Sequence, residues 1–62
     1  MFRCVIHTDG AAYRNEDGDY DPSGYELRKN LKKIIEEIKL GYGNGYIVDT
    51  NGNNVGTWDI DE

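Results

Sequence analysis

The chain has 62 residues and a formal net charge of −5, with 12 acidic side chains against 7 lysines and arginines. A domain this short buries only about 60% of the surface of its unfolded chain, so it depends on good packing or on a partner. One cysteine excludes an internal disulfide, and one cysteine with one histidine cannot fill a tetrahedral zinc site. The acidic balance argues against general nucleic-acid binding and fits attraction to a basic protein surface.

The composition predicts a single globular domain over residues 1–62. Hydrophobic residues make up 37% of the chain and charged residues 31%, which is a globular rather than a disordered balance. No apolar run reaches the roughly 20 residues needed to cross a bilayer, and Met1 leads directly into a strand pattern rather than into a signal peptide. We therefore expect a reduced, cytoplasmic protein with no membrane segment.

The chain opens with a predicted strand and a loop. Alternating apolar residues predict a strand over residues 2–8, and Ala11 to Arg14 could extend it beyond the turn at Asp9-Gly10. Residues 15–24 hold two glycines, one proline and five Asp, Asn or Ser residues, which indicates a loop.

A helix follows this loop. Ser23-x-x-Glu26 has the pattern of a capping box, which predicts the helix start, and Gly41 predicts its end. Between them, apolar residues recur at helical spacing and predict one apolar face: Leu27, Leu31, Ile34, Ile35 and Ile38.

Two further strands, residues 45–49 and 54–60, are predicted around Asn51-Gly52. An Asn-Gly pair fits a type I′ hairpin turn, whereas Asp49 to Gly52 fits a type I turn followed by a glycine bulge. The two registers differ by one residue and bury opposite faces of strand 45–49, and the sequence leaves both open.

We therefore expect an α+β fold of order β-α-β-β. Its three-stranded, mainly antiparallel sheet would carry one amphipathic helix on one face, with the last strand in the centre. Gly56 would share a face with Trp58, where the helix could come close.

The spacing of Asp49, Asn51 and Asn53 is that of calcium ligands in an EF-hand. An EF-hand loop also needs glycine at position 6 and glutamate at position 12, and Asn54 and Ile60 stand there. This stretch is therefore predicted to be a hairpin turn and not a calcium loop.

Acidic residues cluster in the loop before the helix at Glu16, Asp17, Asp19 and Asp21, and this cluster also fails the EF-hand pattern. A weak cation site and a merely solvated turn are both open. The interpretation that we favour is that these carboxylates meet arginines of a partner, as a phosphate backbone would. No metal or cofactor is predicted.

Catalytic chemistry is not indicated by the sequence. Cys4 and His7 are the one obvious nucleophile and base, but they lie three apart on a predicted strand and so point to opposite faces. No glycine-rich phosphate loop stands between a strand and a helix. We expect no catalytic residue and no enzymatic activity.

Two other surfaces offer alternatives. Arg28, Lys29, Lys32 and Lys33 make the helix basic, and segment 23–40 carries +2 where the remainder carries −7, so a nucleic-acid role would face repulsion. One helix covers one sheet face, and the other face is predicted to expose apolar side chains that could support a homodimer. Those side chains are Val5, Val55 and, depending on the register, either Val48 with Tyr46 or Ile47.

Three stretches together carry a family resemblance: IHTDGAAY, YELRKNLKKIIEEIKLG and VDTNGNNVGTWDI. The chain resembles small acidic proteins encoded by bacteriophages and prophages, which close with a hairpin of the form D-x-NGN-x-VG-x-W/F-x-I. In style it is similar to anti-CRISPR inhibitors, which bind a host nucleoprotein complex and block its nucleic-acid site. The resemblance implies a host protein partner with a basic surface. The residues predicted to contact it are Tyr13, Glu16, Asp17, Asp19, Tyr20, Asp21 and Tyr42.

Overall fold

The structure is a computed structural model, and it describes residues 1–61. Its three strands form an antiparallel sheet of order β1-β3-β2, which confirms the predicted β-α-β-β fold with the last strand in the centre. In chain order the elements are β1 (Phe2–Ile6), a 3-10 helix (Ala11–Tyr13), α1 (Tyr25–Lys39), β2 (Asn44–Val48) and β3 (Asn54–Ile60).

The expected extension of the first strand is wrong. Ala11–Tyr13 form a 3-10 helix in which the backbone N–H of Tyr13 donates to the Gly10 carbonyl at 3.1 Å. This tight turn carries Tyr13 into the core, where its side chain is 1% exposed. The free energy gained by burying a large aromatic ring is greater than the local preference of these residues for a strand.

The predicted capping box is also wrong. The residue that precedes the first helical turn is Gly24, in the left-handed conformation at φ 65°, which has no side chain to cap this end. Ser23 Oγ accepts from the N–H of Tyr25 at 3.3 Å and not from that of Glu26. The backbone N–H of Ser23 donates to Asp21 Oδ1 at 3.0 Å, so it is not free for Glu26. Glu26 instead lies buried and accepts a hydrogen bond from Asn30.

The helix ends as predicted at Gly41. This residue has φ 92°, and its N–H donates to the Ile38 carbonyl at 3.0 Å. The N–H of Tyr42 donates to the Glu37 carbonyl at 3.1 Å. Together these bonds form a Schellman motif, which satisfies carbonyls of the last helical turn.

The hairpin adopts the type I turn with a glycine bulge. Gly52 has φ 83° and donates to the Asp49 carbonyl, while no non-glycine residue of the described chain has positive φ. Asn51 therefore does not take the conformation that a type I′ turn requires. In this register Ile47 is 3% exposed and Tyr46 is 70% exposed.

A register shift beside Ile47 changes the expected position of Val55. Ile47 pairs with Gly56 and Val48 pairs with Asn54, so Val55 is the extra residue of a bulge. Its side chain is buried, whereas the sequence predicted it on the open face. The core that results comprises Tyr13, Ile34, Ile47, Val55 and Trp58, with Cys4, Ile6, Ala12 and Leu27 packed against it.

The apolar stripe of α1 is only partly buried. Ile34 is 4% exposed, but Leu31 is 43%, Ile35 is 53% and Ile38 is 40% exposed. The buried face of the helix includes the polar residues Glu26 and Asn30. The expectation of a single apolar face on the sheet is therefore wrong for three of the five residues that define it.

Candidate protein-binding site

The acidic loop before the helix contains an ordered turn, here called the acidic turn (residues 15–19). In this turn, the N–H of Asn15 donates to the Asp19 carbonyl at 2.7 Å, and the N–H of Gly18 donates to the Asn15 carbonyl at 3.0 Å. Gly18 has φ 84°. Asn15 Oδ1 accepts from the N–H groups of Asp17 and Asp19 at 3.0 and 3.1 Å. Side chain and backbone thus fix the same conformation.

The acidic turn has the same construction as the β2–β3 hairpin turn. There, Asp49 Oδ1 accepts from the N–H groups of Asn51 and Asn53, both at 2.9 Å. Because this carboxylate is 6% exposed and bonded to its own turn, it serves as a structural group and not as a cation ligand.

Arg14 anchors the acidic turn to the rest of the chain. Its Nη1 donates to the Gly18 carbonyl at 2.7 Å and its Nε donates to the Asp9 carbonyl at 3.1 Å. A β-bridge joins Arg14 to Tyr20, and the N–H of Asp21 donates to the carbonyl of buried Tyr13 at 2.8 Å. The turn is therefore held at both ends by the folded core.

Three carboxylates of the acidic turn are left for solvent or a partner. Glu16, Asp17 and Asp19 are all exposed, and none of them forms an ion pair within residues 1–61. Arg14, the nearest cation in sequence, donates its hydrogen bonds to backbone carbonyls and not to these carboxylates. Asp21 differs because it is half-buried and its Oδ1 accepts a hydrogen bond from the N–H of Ser23.

The structure brings some of the predicted contact residues together and separates others. Tyr20 is 42% exposed directly after the acidic turn. Tyr13 is in the core, so its side chain is not on the surface. Tyr42 is 53% exposed but follows the far end of α1, and a helix of 15 residues is about 22 Å long. The candidate site is therefore Glu16, Asp17, Asp19 and Tyr20.

A buried polar cluster that the sequence pattern did not predict lies beneath the helix. Tyr13 Oη donates to Asn30 Oδ1 at 2.5 Å, and Asn30 Nδ2 donates to Glu26 Oε2 at 3.1 Å. Burial, reinforced by the carboxylates of Glu26 and Asp49, raises the pKa of Tyr13 above its ordinary value of 10.0. The sequence holds one indication of this cluster. Glu26, Asn30 and Ile34 are spaced four residues apart and therefore lie on the same face of the helix.

The cluster reaches the hairpin through one lysine. Lys29 Nζ donates to Thr50 Oγ1 at 2.8 Å and lies 3.4 Å from Glu26 Oε1. This cation therefore connects the helix to the β2–β3 turn and is less free for a ligand than the sequence implied. The cluster is structural, because its members bond one another.

No arrangement for metal binding or nucleophilic catalysis is visible in the described residues. Among residues 1–61, no three His, Cys, Asp or Glu side chains converge as they would around a metal ion. Cys4 is half-buried against the core, His7 is exposed, and no side-chain hydrogen bond of the described chain joins them.

The face of the sheet opposite the helix is open. Val5, Tyr46 and Val48 are 56%, 70% and 40% exposed there. Arg3 crosses the same face to Asp59 at 2.9 Å, an ion pair whose partners are both substantially exposed. The expected exposure of Val5, and of Val48 with Tyr46 in the bulged register, is confirmed.

Comparisons of the chain with protein-family models, with curated proteins and with solved structures find no match. In the described part of the chain, α1 is too short and too polar to cross a membrane.

Proposed function

We propose that this protein is a non-enzymatic binding protein that occupies a basic surface of another protein with its acidic turn. The observation that carries the proposal is the exposure of Glu16, Asp17 and Asp19, which form no ion pair within residues 1–61, on a turn anchored by Asn15 and Arg14. Like charges on neighbouring residues of one turn repel one another, so they favour a partner that neutralises them.

An ordered acidic turn suits such a partner physically. Carboxylates accept paired hydrogen bonds from arginine, and these charge-assisted bonds are the stronger kind. Because the turn is already folded, binding costs little ordering of its backbone. The chain's net charge of −5 also steers it towards a basic partner. Tyr20, exposed beside the turn, offers aromatic area at an interface.

The resemblance to phage-encoded acidic proteins extends the proposal to a partner class. On that basis the protein is phage-encoded and inhibits a bacterial defence complex of the CRISPR type. Its carboxylates would take the place of nucleic-acid phosphates in a basic groove of that complex. This extension rests on the resemblance alone.

The test is capture from bacterial lysate by immobilised protein, in the presence and absence of chelator. A charge-reversed variant carries Glu16→Lys, Asp17→Lys and Asp19→Lys. A matched control carries Asp9→Lys, Glu36→Lys and Asp61→Lys, which changes the net charge equally at exposed positions elsewhere. Circular dichroism establishes that both variants are folded.

The expected result is one stoichiometric partner, retained by the wild type and the control and lost by the charge-reversed variant. Retention should be insensitive to chelator, because carboxylate–arginine contacts need no metal. If the charge-reversed variant captures the same partner as well as the wild type does, the acidic turn is not the contact surface.

A further inference from the structure

The exposed part of the helix forms a second surface, here called the apolar strip: Leu31, Ile35 and Ile38. Residues three and four apart are neighbours on a helix, so these three side chains are contiguous. Each is at least 40% exposed, although Ile34 in the same segment is buried. Contiguous exposed aliphatic side chains on a soluble domain are typical of a contact surface.

A basic band runs along one side of the apolar strip. Arg28 is three residues before Leu31, Lys32 is three before Ile35, and Lys39 is four after Ile35, so each cation borders the strip. Of these three cations, only Lys39 has a carboxylate of residues 1–61 within 4.0 Å, Glu36 at 3.4 Å, and both side chains are 67% exposed. Arg28 donates its Nε to the Ser23 carbonyl at 3.1 Å. Such an exposed pair contributes little and is readily exchanged for another partner.

A shallow cleft lies on the basic side of the helix. It has a volume of about 140 Å³ and is lined by Tyr25, Arg28, Lys29 and Lys32. The cleft could receive an acidic side chain from a ligand lying along the strip. Around the helix, the apolar strip is therefore followed by the basic band and then by the cleft. Together these three features form one exposed face.

We propose that this face binds an acidic amphipathic helix of a partner protein. The partner's apolar residues would cover Leu31, Ile35 and Ile38, and its carboxylates would meet Arg28, Lys32 and Lys39. Helix recognition of this kind uses anchors at i, i+3, i+4 and i+7. Complementary charge beside the apolar seam then sets orientation and specificity.

Charge argues against a second copy of this chain as the occupant. In a two-fold dimer the same surface meets itself, so an antiparallel pair of helices places like flank beside like flank. The basic band would then face the basic band of the other copy. An acidic helix removes this repulsion.

The proposal is separate from the function assigned to the acidic turn. The strip and its band lie on α1, and the acidic turn lies before it and shares no residue with either. The charge-reversed variant of the acidic turn should therefore still bind through the helix, so that the two proposals fail independently.

The probe is a fluorescein-labelled synthetic peptide of about 18 residues, or five helical turns, with leucine at heptad a and d positions and glutamate elsewhere. Fluorescence polarisation at 0.15 M salt is expected to show saturable binding with a dissociation constant below about 100 µM. In two-dimensional NMR spectra, the shifted amides should lie within residues 28–39. A peptide with lysine in place of glutamate is expected not to bind at the apolar strip, so any amides that it shifts should lie outside residues 28–39.

Matched variants locate the contact. Ile35→Ser should weaken binding about tenfold, whereas Leu40→Ser removes an aliphatic side chain outside the strip and should not. Lys32→Glu should abolish most of the affinity, whereas its neighbour Lys33→Glu, outside the basic band, should change it little.

Three results would overturn the proposal. The first is the absence of saturable binding by the acidic peptide, and the second is equal binding of the Lys32→Glu and Lys33→Glu variants. The third is light scattering that shows a dimer at the assay concentration, converted to monomer by Ile35→Ser. That result would assign the apolar strip to a second copy.

Discussion

At the scale of single residues, two glycines of the sheet are required by what lies against their α-carbons. A Cβ on Gly45 would lie 2.6 Å from Trp58 Nε1, the atom that donates to Glu37 Oε1 of the helix. A Cβ on Gly56 would lie 1.9 Å from the backbone oxygen of Val5. The predicted close approach of the helix therefore occurs at Gly45, and β1 is what crowds Gly56.

Gly56→Ala is expected to lower the free energy of unfolding by about 3 kcal/mol, because a backbone oxygen cannot rotate away as a side chain can. Gly43→Ala is the control, since nothing lies within 4 Å of its would-be Cβ. Urea unfolding followed by Trp58 fluorescence measures both. Equal midpoints for the two variants would contradict the observed approach of β1 to β3.

The buried hydroxyl of Tyr13 makes stability depend on alkaline pH. Below its ordinary pKa of 10.0 the hydroxyl is neutral in the folded and unfolded chain, so its stabilising contribution is complete. As the pH rises further, the unfolded chain loses this proton first, because the folded pKa is raised. Stability is therefore lost with increasing pH.

Tyr13→Phe should flatten this alkaline loss. At neutral pH it should also cost about 1–3 kcal/mol, because Asn30 Oδ1 is left buried without its donor. Tyr46→Phe changes a side chain that is 70% exposed and should alter neither quantity. Urea unfolding at several pH values measures both quantities. If stability fell with alkaline pH as steeply in Tyr13→Phe as in the wild type, the buried hydroxyl would not be the cause of that loss.

At the scale of secondary structure, the sequence located α1 correctly but not the direction in which it faces. Five aliphatic residues at helical spacing define a stripe, and hydrophobicity alone predicts that all of them face the sheet. In the fold, Asn30 bonds to Tyr13 and Glu37 bonds to Trp58. These bonds turn polar residues inward. Hydropathy could not reveal this, because the partners lie far away in sequence.

Ile34→Ala and Ile35→Ala provide a matched test of this orientation. The first removes a side chain that is 4% exposed and should cost about 2–5 kcal/mol. The second removes one that is 53% exposed and should stay within about 1 kcal/mol. The midpoints of urea unfolding measure both changes in stability. Equal losses of stability in the two variants would mean that the whole stripe is buried.

The two bulged turns show what a shared local pattern can predict. Asn15-x-x-Gly18 and Asp49-x-x-Gly52 have an Asn or Asp at the first position and a glycine at the fourth. The side chain of each first residue accepts hydrogen bonds from two backbone N–H groups, and each glycine has positive φ. The pattern was sufficient to propose the bulged turn at Asp49, and reading it at Asn15 would have predicted an ordered acidic turn.

Asp49→Ala should cost about 2 kcal/mol, since it leaves the N–H groups of Asn51 and Asn53 without their acceptor. Asp49→Asn keeps an acceptor oxygen at the same position and should recover most of the loss. Thermal unfolding of both variants provides the measurement. If Asp49→Asn were as unstable as Asp49→Ala, charge rather than hydrogen bonding would be the stabilising property.

At the scale of the whole molecule, charge is distributed unevenly over a thin body. Segment 23–40 carries +2 and the rest of the chain carries −7, so acidic turn and basic helix present opposite signs. The acidic surface was predictable, because charged loop residues stay exposed in almost any fold. The apolar strip was not, because its residues look like core residues until the burial of their neighbours is known.

The molecule is elongated. Its Cα radius of gyration is 12.4 Å and its extents are 41 × 19 × 16 Å, whereas a compact chain of this length has about 11 Å. Small-angle scattering should therefore give an elongated particle near this size that does not change on dilution. The basic band disfavours pairing of the helices, and the net charge of −5 on each copy opposes close association.

A radius that increases with concentration would instead indicate self-association, and two single substitutions would then identify the surface responsible. Tyr46→Lys places charge on the open sheet face, where the side chain is 70% exposed, and Ile35→Ser removes the centre of the apolar strip. Recovery of the monomer by Tyr46→Lys would support the homodimer predicted from the uncovered sheet. Recovery by Ile35→Ser would show that apolar contact outweighs the repulsion between the basic bands, because the strip would then pair in spite of them.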